Sequence, residues 1–207
     1  IDFVEFSTRE PAQLEKLFFD FGFSKIARHQ TLAIDLFRQG EITFLLNSQP
    51  RSFGDRFQKS HGPSISSMGW RVESAQKAFE GGLQRGAVRG EMGDYHTKEG
   101  KGVPAITGIG ESLIYLTERS QGTAFNYENY GFVSLQDPIR VPEKGFTAID
   151  HLTNNVYKGT MQKWAQFYKE VFGFEEVRYF DIRGQKTGLT SYALRSPCGS
   201  FCIPINE

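Results

Sequence analysis

The sequence predicts an α+β protein built from repeated modules, each made of a strand, a helix and three further strands. Two pairs of short segments indicate the repeat: Ile1-Asp2-Phe3 matches Ile149-Asp150-His151, and Phe21-Gly22-Phe23 matches Phe172-Gly173-Phe174. In each copy a helix-period pattern of apolar residues lies between the two segments. The 19 Phe, 8 Tyr, 2 Trp and 22 Gly among 207 residues also favour strands and tight turns over a helical bundle.

The first module begins with an alternating apolar segment over residues 1–6, which predicts a strand. A helix is expected from Pro11 to Gly22, because proline suits the first helical turn and glycine suits the residue after the last. Apolar residues at i, i+3, i+4 and i+7 of this helix are expected to face the core: Leu14, Leu17, Phe18 and Phe21. Three strands are then expected at Lys25–His29, Ala33–Arg38 and Ile42–Asn47.

The second module begins with a strand over Ser66–Val72 and a helix that ends near Gly86. Four residues of this helix are expected to face the core: Ala75, Ala78, Phe79 and Leu83. The charged, glycine-rich stretch Arg89–Lys101 is predicted to be a surface loop. Two apolar runs, Val103–Ile109 and Ser112–Leu116, supply further strands of the module.

The third module begins with a strand over Phe146–Leu152. The helix after it is expected to bury one aromatic-rich face: Trp164, Phe167, Tyr168, Val171 and Phe172. Three strands are expected to complete the module, at Glu176–Ile182, Thr187–Ser196 and Ser200–Ile205.

A single module exposes one apolar face of its sheet and requires a partner to cover it. The first two modules can cover each other, which predicts an N-terminal domain over residues 1–138. The stretch Arg119–Lys144 has few periodic apolar residues and is expected to link this pair to the third module. Residues 139–207 are then the first half of a second domain. A fourth module beyond these residues, or another chain, is expected to cover the third.

Composition argues against several classes of protein. Lys and Arg number 24, as do Asp and Glu, so the formal net charge is 24 − 24 = 0 and nucleic-acid binding is not expected. No run of 18 apolar residues occurs, which argues against a membrane-spanning helix. These residues contain no secretory signal and only two cysteines, Cys198 and Cys202, so we expect a cytoplasmic protein without a disulfide.

His151 is the histidine that the repeat singles out. It stands where the first module has Phe3 and the second has a residue near Gly69. Two interpretations agree with this position: a core histidine bonded to a carbonyl, and a ligand in a strand-borne metal site. Asp150 is expected to point to the opposite face of the strand, which would exclude it as a second ligand.

The other histidines and the glycine motifs predict no site. His29 and His96 are expected to face solvent, and His61 is expected to have a structural role in a turn. Gly108-Ile109-Gly110 lacks the third glycine of a dinucleotide-binding loop, because Leu113 stands in its place. Neither a phosphate-binding Gly-Lys-Ser/Thr loop nor a Gly-x-Ser-x-Gly nucleophile elbow occurs.

The third module resembles the metal-binding strand and following helix of bacterial 4-hydroxyphenylpyruvate dioxygenases. The specific match is Ala148–Val156 (AIDHLTNNV) with Gly159 and Met161 after it, and the resemblance extends over essentially the whole chain. Further matching segments are Tyr179–Gly184, Thr187–Ser191, Ile203–Glu207, Arg38–Ile42, His61–Pro63 and Pro104–Ile106. That family belongs to the vicinal oxygen chelate superfamily, whose paired βαβββ modules agree with the repeat.

The resemblance implies a non-haem Fe(II) held by two histidines and one glutamate, with positions open for substrate and O₂. His151 matches the first ligand, and the other two ligands would lie in the fourth module. Ser191 and Asn206 match catalytic residues that hydrogen-bond the substrate. Thr153 and Pro204 match further residues of the substrate pocket.

The implied activity is the conversion of 4-hydroxyphenylpyruvate and O₂ to homogentisate and CO₂ in tyrosine and phenylalanine catabolism. The expected partners are a small aromatic 2-oxo acid, O₂ and further copies of the chain in a dimer or tetramer. Residues 1–207 contain one of the three ligands, so we expect no turnover from them alone. Asn154 departs from the many bacterial members that have histidine there, but this position is not a ligand.

Three alternatives stay open. A hydroxymandelate synthase would share the iron, the substrate and the fold, but would hydroxylate the benzylic carbon. A non-catalytic metal- or small-ligand-binding domain of this fold, alone or fused to another enzyme, would lack the remaining ligands. A structural module pair that promotes oligomerisation describes the first two modules. A strand-borne histidine and a later glutamate in the continuation of the chain would favour the enzyme.

Overall fold

The computed structural model describes residues 1–90, 93–118, 127–183 and 188–207, without the side chains of residues 179–183 and 188–189. The chain forms two compact units. The first comprises Ile1–Phe79 with Arg89–Ala148, and the second comprises Glu80–Val88 with Ile149–Glu207. None of the helices in the described residues is both long and apolar enough to cross a membrane.

The elements before residue 149 alternate between short helices and strands much as the repeat predicts. In chain order they are β1 (Phe3–Ser7), α1 (Pro11–Asp20), β2 (Ser24–His29), β3 (Ile34–Gln39), β4 (Ile42–Asn47), α2 (Phe53–His61), β5 (Ser64–Val72), α3 (Ala75–Gln84), β6 (Ala105–Thr107), β7 (Leu113–Glu118) and β8 (Phe132–Ile139). Two short 3₁₀ turns lie at Ile109–Glu111 and Tyr127–Tyr130. The strand positions predicted for the first two modules are therefore confirmed to within a few residues.

Eight strands form one sheet in the first unit, in the order β6-β7-β5-β1-β4-β3-β2-β8. In the first module β4 pairs in parallel with β1, and in the second β7 pairs in parallel with β5. The modules meet where β1 pairs with β5 in antiparallel register. This common arrangement is what an internal repeat predicts, and it makes β1 and β5 the seam of the pair.

Helix α1 buries less of its apolar face than its periodicity predicts. Pro11 stands in its first turn, and Gly22 follows it with φ +85°, as expected for the two ends. Phe18 is the buried residue of the helix and packs edge-on against Phe6 and Phe37. Leu17 and Phe21 are 44% and 48% exposed, so the prediction that both face the core is wrong.

The stretch predicted to be a linker contains a strand. Within Arg119–Lys144, residues 119–126 lie outside the described residues, but Phe132–Ile139 forms β8 and pairs antiparallel with β2. Phe132 is buried, whereas Val133 and Ile139 are largely exposed. The strand covers the edge of β2 with backbone hydrogen bonds, which leave no apolar periodicity in the sequence.

Residues 91 and 92 lie outside the described residues, and the rest of Arg89–Lys101 is largely exposed and irregular, as predicted for a surface loop, but Tyr95 within it is part of the core. Tyr95 is 3% exposed and packs edge-on against Phe3 and Tyr115 at ring-centroid distances of 5.8 and 5.2 Å. Because charged and glycine residues surround Tyr95 in the sequence, its burial leaves no hydrophobic pattern.

The second unit repeats the strand order of the first module. Its elements are β9 (Asn154–Asn155), α4 (Met161–Phe172), β10 (Glu175–Arg183), β11 (Gly188–Arg195) and β12 (Cys202–Asn206). The sheet order β10-β11-β12-β9, with β12 parallel to β9, corresponds to β2-β3-β4-β1. The strand predicted at Phe146–Leu152 is wrong in its extent, because only an isolated bridge from His151 to Cys202 and the short β9 form there.

Helix α4 packs against this four-stranded sheet. It is followed by Gly173 in the left-handed conformation, at φ +71°, and four of its residues are buried: Met161, Ala165, Tyr168 and Val171. Tyr168 and Val171 were predicted to be buried and are, while Trp164, Phe167 and Phe172 are half-buried at the margin. The helix therefore covers one face of the sheet, and this fixes which face remains for a site.

Candidate functional site

The residues predicted for the site share one face of the four-stranded sheet. Ser191 is the register partner of Asn206, and Pro204 lies two residues before Asn206 on the same strand. Asn206 donates a hydrogen bond to Asn155 Oδ1 at 3.1 Å, which places Asn155 on this face as well. His151 is the bridge partner of Cys202 and Asn155 is the register partner of Asn206, and Cys202, Pro204 and Asn206 alternate on one side of β12. Thr153 lies midway between His151 and Asn155 and is exposed as they are, whereas Leu152 and Asn154 are half-buried. The five predicted residues therefore share this face of the sheet: His151, Thr153, Ser191, Pro204 and Asn206.

The opposite face of the sheet belongs to α4. Leu194, Ile203 and Ile205 point to this side and have no exposed surface. Within the second unit α4 contacts both β11 and β12, the strands that carry these residues. The face with His151 is therefore the one that α4 leaves uncovered, and it presents hydroxyl and amide groups beside an imidazole.

His151 is held to the sheet by the backbone on both sides of it. Cys202 N–H donates to the carbonyl of Asp150 at 3.0 Å, and Leu152 N–H donates to the carbonyl of Cys202 at 3.3 Å. The imidazole is about half exposed, with 52% of its side-chain surface accessible. Within the described part of the chain, no carbonyl accepts a hydrogen bond from this imidazole as one would from a core histidine, so the ligand interpretation agrees better with its surroundings.

Asp150 does not point away from His151. Its Oδ2 lies 2.7 Å from Nδ1 of the imidazole, which corrects the expectation that the carboxylate occupies the other face. Strict alternation applies inside a regular strand, whereas Asp150 precedes the isolated bridge and lies outside any strand. The sequence pattern does not predict this contact, because the side chains of adjacent residues in a strand point to opposite faces.

Glu207 has a structural role that the sequence does not indicate. Its Oε2 accepts hydrogen bonds from the backbone N–H groups of Gly159 and Met161 at 2.9 and 3.1 Å. Thr160, at the N-cap of α4, makes no capping bond with its own side chain. The carboxylate of Glu207 therefore satisfies the first turn of α4 and ties it to the end of β12.

The described residues supply one imidazole, that of His151, to the uncovered face. No group of three His, Cys, Asp or Glu side chains able to hold a metal occurs in the described part of the chain. Among those residues, Nε2 of His151 has no hydrogen-bond partner and keeps its capacity to bind a metal. The arrangement fits one position of a two-histidine, one-carboxylate iron site, with the other ligands to come from elsewhere.

In the described part of the first unit, the position that corresponds to His151 is filled with aromatic rings. Phe3 occupies the position of His151 in the repeat, and its register partner across the seam is Gly69. Gly69 in turn pairs with Tyr115, whose ring lies 5.9 Å from that of Phe3. The cavity beside these residues measures only about 10 Å³. The interior of this module pair is therefore a packed core without space for a substrate.

A buried carboxylate organises this core. Glu5 has no exposed surface, and its carboxylate accepts hydrogen bonds from five side chains: Asn47 Nδ2 at 2.7 Å, Ser67 Oγ at 2.7 Å, Tyr95 OH at 2.9 Å, Ser66 Oγ at 3.2 Å and Ser7 Oγ at 3.4 Å. Burial, together with the nearby charge of Asp94, raises the pKa of Glu5. Because it is sealed from solvent and surrounded by donors, Glu5 has a structural role at the seam.

The remaining histidines and cysteines take structural or exposed positions. His29 was expected to face solvent, but it is half-buried, and its Nδ1 accepts from the N–H groups of Thr31 and Leu32 at 3.2 and 3.1 Å. His96 is exposed, as expected. His61 ends α2 and stacks on Phe57 at 4.2 Å, a structural role as predicted. Cys198 and Cys202 are free thiols, the first exposed and the second half-buried.

The strand order shared by the modules and the histidine-bearing face define a protein of the vicinal oxygen chelate fold. The family model described as the Glyoxalase/Bleomycin resistance protein/Dioxygenase superfamily matches residues 148–207. The model described as Hydroxyphenylpyruvate dioxygenase, HPPD, N-terminal matches residues 1–132. The chain therefore belongs to the hydroxyphenylpyruvate dioxygenase family, which confirms the resemblance stated from its motifs.

Individual relatives agree with this assignment. The chain is 53% identical over 209 residues to Protein MelA of Shewanella colwelliana and 42% identical over 209 residues to the 4-hydroxyphenylpyruvate dioxygenase of Pseudomonas sp. (strain P.J. 874). These matches cover all of this chain but only 58% and 57% of the relatives. Among solved structures, a xylose isomerase-like TIM barrel/4-hydroxyphenylpyruvate dioxygenase fusion protein matches with a TM-score of 0.79 and 29% identity. That match covers 99% of this chain and 32% of the fusion protein.

Proposed function

We propose that this chain is the larger part of a non-haem Fe(II) dioxygenase that converts 4-hydroxyphenylpyruvate and O₂ to homogentisate and CO₂. The observation that carries the proposal is the location of His151, Thr153, Ser191, Pro204 and Asn206 on one uncovered sheet face. Family membership supports the chemistry, since a relative 42% identical over the whole chain bears the name of this enzyme.

Each residue of the face has a role in the proposal. His151 would supply one of the three protein ligands through Nε2, and a fourth module would supply the other two. Fe(II) in such a site provides the redox chemistry that couples the 2-oxo acid to O₂. Asn206 and Ser191 would hydrogen-bond the substrate and hold it in one orientation. Pro204 offers an apolar surface to its ring, and Thr153 lies beside the ligand on the same side.

The uncovered face also has the chemistry that such a substrate needs. An aromatic ring with a polar substituent is bound best between apolar contacts and a few placed hydrogen-bond donors. The side-chain amide of Asn206 donates to Asn155 Oδ1 and is thereby held in one orientation. Ser191 is 8% exposed, so a hydrogen bond from its hydroxyl would be made with little water nearby.

The first module pair is proposed to be non-catalytic, with a domain division near residue 138 as the repeat predicts. The packing of Phe3, Gly69 and Tyr115 supports a non-catalytic role, because it leaves no space at the position equivalent to His151. The pair would contribute to folding and to a homo-oligomeric assembly, a dimer or tetramer. A cytoplasmic location and a place in tyrosine and phenylalanine catabolism complete the proposal.

The test uses the longer protein that includes the residues after Glu207. Purified protein loaded with Fe(II) should consume 4-hydroxyphenylpyruvate and O₂ and release homogentisate and CO₂ in equal amounts. His151→Ala should lose turnover while its far-UV circular dichroism stays that of the wild type. Hydroxymandelate as the product would redirect the proposal to the synthase, and undiminished turnover by the variant would refute the assignment of His151.

A further inference from the structure

The contact between Asp150 and His151 indicates which ring nitrogen of His151 carries the proton when the imidazole is neutral. A neutral imidazole carries one N–H, and the nitrogen without it is the one that can bind a metal. Asp150 Oδ2 lies 2.7 Å from Nδ1, at hydrogen-bond distance. An ionised carboxylate only accepts hydrogen bonds, so the neutral ring must present its N–H at Nδ1 and its lone pair at Nε2.

Neither side chain of this pair has another hydrogen-bond partner among the described residues. Among the described residues, the Asp150 carboxylate has no other bond and is 90% exposed, and His151 has no partner at Nε2. Backbone hydrogen bonds to Cys202 on both sides of His151 fix the backbone of the two residues relative to the sheet. The contact is therefore a local feature of the segment that carries the proposed ligand.

The repeat provides an internal comparison. Asp2 stands at the equivalent position of the first module, where the next residue is Phe3 and offers no ring nitrogen. Asp2 is buried and accepts instead from Arg71 Nε at 3.1 Å and Thr117 Oγ1 at 2.8 Å. The aspartate thus occurs in both modules, but it turns to the neighbouring side chain only where that side chain is an imidazole.

We propose that Asp150 is a positioning residue, which holds the proton of His151 on Nδ1 and presents Nε2 as the metal-binding atom. The proposal rests on the proposed function, since it assigns a ligand atom within the same site. A carboxylate on the second ring nitrogen fixes the tautomer and raises the basicity of the first, and losing such a partner typically lowers metal affinity about 10–100-fold.

The test reads the tautomer directly and requires neither iron nor substrate. The longer protein, free of metal and labelled with ¹⁵N, is examined by long-range ¹H–¹⁵N correlation at about pH 9, well above the ordinary histidine pKa of about 6.5. The His151 signals are assigned by their loss in His151→Gln. We expect a protonated Nδ1 and an unprotonated Nε2 in the wild type. Asp150→Ala should move most of the proton population to Nε2, the tautomer that free imidazole side chains favour.

Two further variants complete the design. Asp150→Asn retains an oxygen acceptor and should restore the Nδ1–H tautomer as the major form. Glu170→Ala removes an exposed carboxylate from α4 without touching His151 and should leave the spectrum of His151 unchanged. A wild-type spectrum with the proton on Nε2, or an Asp150→Ala spectrum identical to the wild type, would overturn the proposal. The wild-type spectrum decides alone if Asp150→Ala does not fold.

A second measurement connects the tautomer to the metal. In the longer protein, Asp150→Ala should weaken Fe(II) binding about 10–100-fold while Glu170→Ala leaves it unchanged. Unchanged affinity in Asp150→Ala would overturn the positioning role. Because the tautomer is measured without iron, a longer protein that fails to turn over its substrate would refute the proposed function and leave the tautomer result standing.

Discussion

Phe3 and Gly69 are direct register partners across the seam of the first two modules, and the ring of Phe3 occupies the space over Gly69. A Cβ placed on Gly69 would lie within 3.0 Å of that ring, a separation that real side chains do not adopt. His151 takes the place of Phe3 in the third module. The same position of one repeat is therefore a packed aromatic in one copy and a half-exposed imidazole in another.

Gly69→Ala should destabilise the protein by about 1–3 kcal/mol, because the added methyl group overpacks the core against Phe3. The measurement is the midpoint and slope of urea unfolding. Gly102→Ala is the matched control, since a Cβ there meets nothing within 4 Å, and it should change stability by less than about 0.5 kcal/mol. Equal stability of the two variants would contradict the packing described for the seam.

Tyr95→Phe should destabilise the protein by about 1–3 kcal/mol, because Glu5 then loses one of its buried donors without access to water. The ring and its packing are retained, so the change isolates the hydroxyl. Tyr157→Phe is the control, because Tyr157 is 88% exposed. If urea unfolding gives the same free energy for both variants, the hydrogen bond from Tyr95 to Glu5 does not contribute to stability.

The raised pKa of Glu5 predicts a definite pH dependence. The folded state binds this proton more tightly than the unfolded state, so the contribution of Glu5 to stability is most favourable below its ordinary pKa of 4.5. It falls as the pH rises from that value through the raised pKa. The unfolding free energy of the wild type minus that of Glu5→Gln should therefore decrease over this interval and then level off.

Urea unfolding at a series of pH values from about 4 to 8 measures this difference. Glu170→Gln, which removes a carboxylate from the surface of α4, controls for the loss of one acidic group. If the difference rises with pH, the pKa of Glu5 is lowered by its hydrogen-bond donors more than it is raised by burial and by the charge of Asp94, and the prediction is wrong.

Asn206→Ala in the longer protein should lower kcat/KM for 4-hydroxyphenylpyruvate about tenfold, the loss of one hydrogen bond to substrate. Iron content should stay that of the wild type, since Asn206 is not proposed as a ligand. Asn154→Ala is the matched control, because Asn154 lies on the adjacent strand but alternates to the other face. Steady-state kinetics that show equal losses for both variants would contradict the assignment of the uncovered face.

The sequence predicts most of this architecture, because helix periodicity, glycine stops and strand alternation all come from side chains. Helix α4 ends before Gly173 and β7 pairs beside β5 as the repeat predicts. Contacts made by the backbone or by isolated polar groups leave no such pattern. For this reason β8, the burial of Tyr95 within a charged stretch and the turn of Asp150 toward His151 are found only in the structure.

The sequence also indicates which residues belong to the candidate site, but not how they are arranged. The motif around His151 and the segments that contain Ser191 and Asn206 indicate the residues of one face, and the register of β11, β12 and β9 brings them together. The proposed iron chemistry requires three ligands, and the described residues contain no group of three side chains that could hold a metal, so this part of the proposal is tested in the longer protein.

Anaerobic Fe(II) titration followed by calorimetry tests the central claim most directly, namely that His151 is one ligand of a site completed beyond these residues. The longer protein should bind one equivalent tightly, and its His151→Ala variant and residues 1–207 alone should show no stoichiometric, high-affinity binding. Tight binding of one equivalent by the variant, or by residues 1–207, would contradict the account.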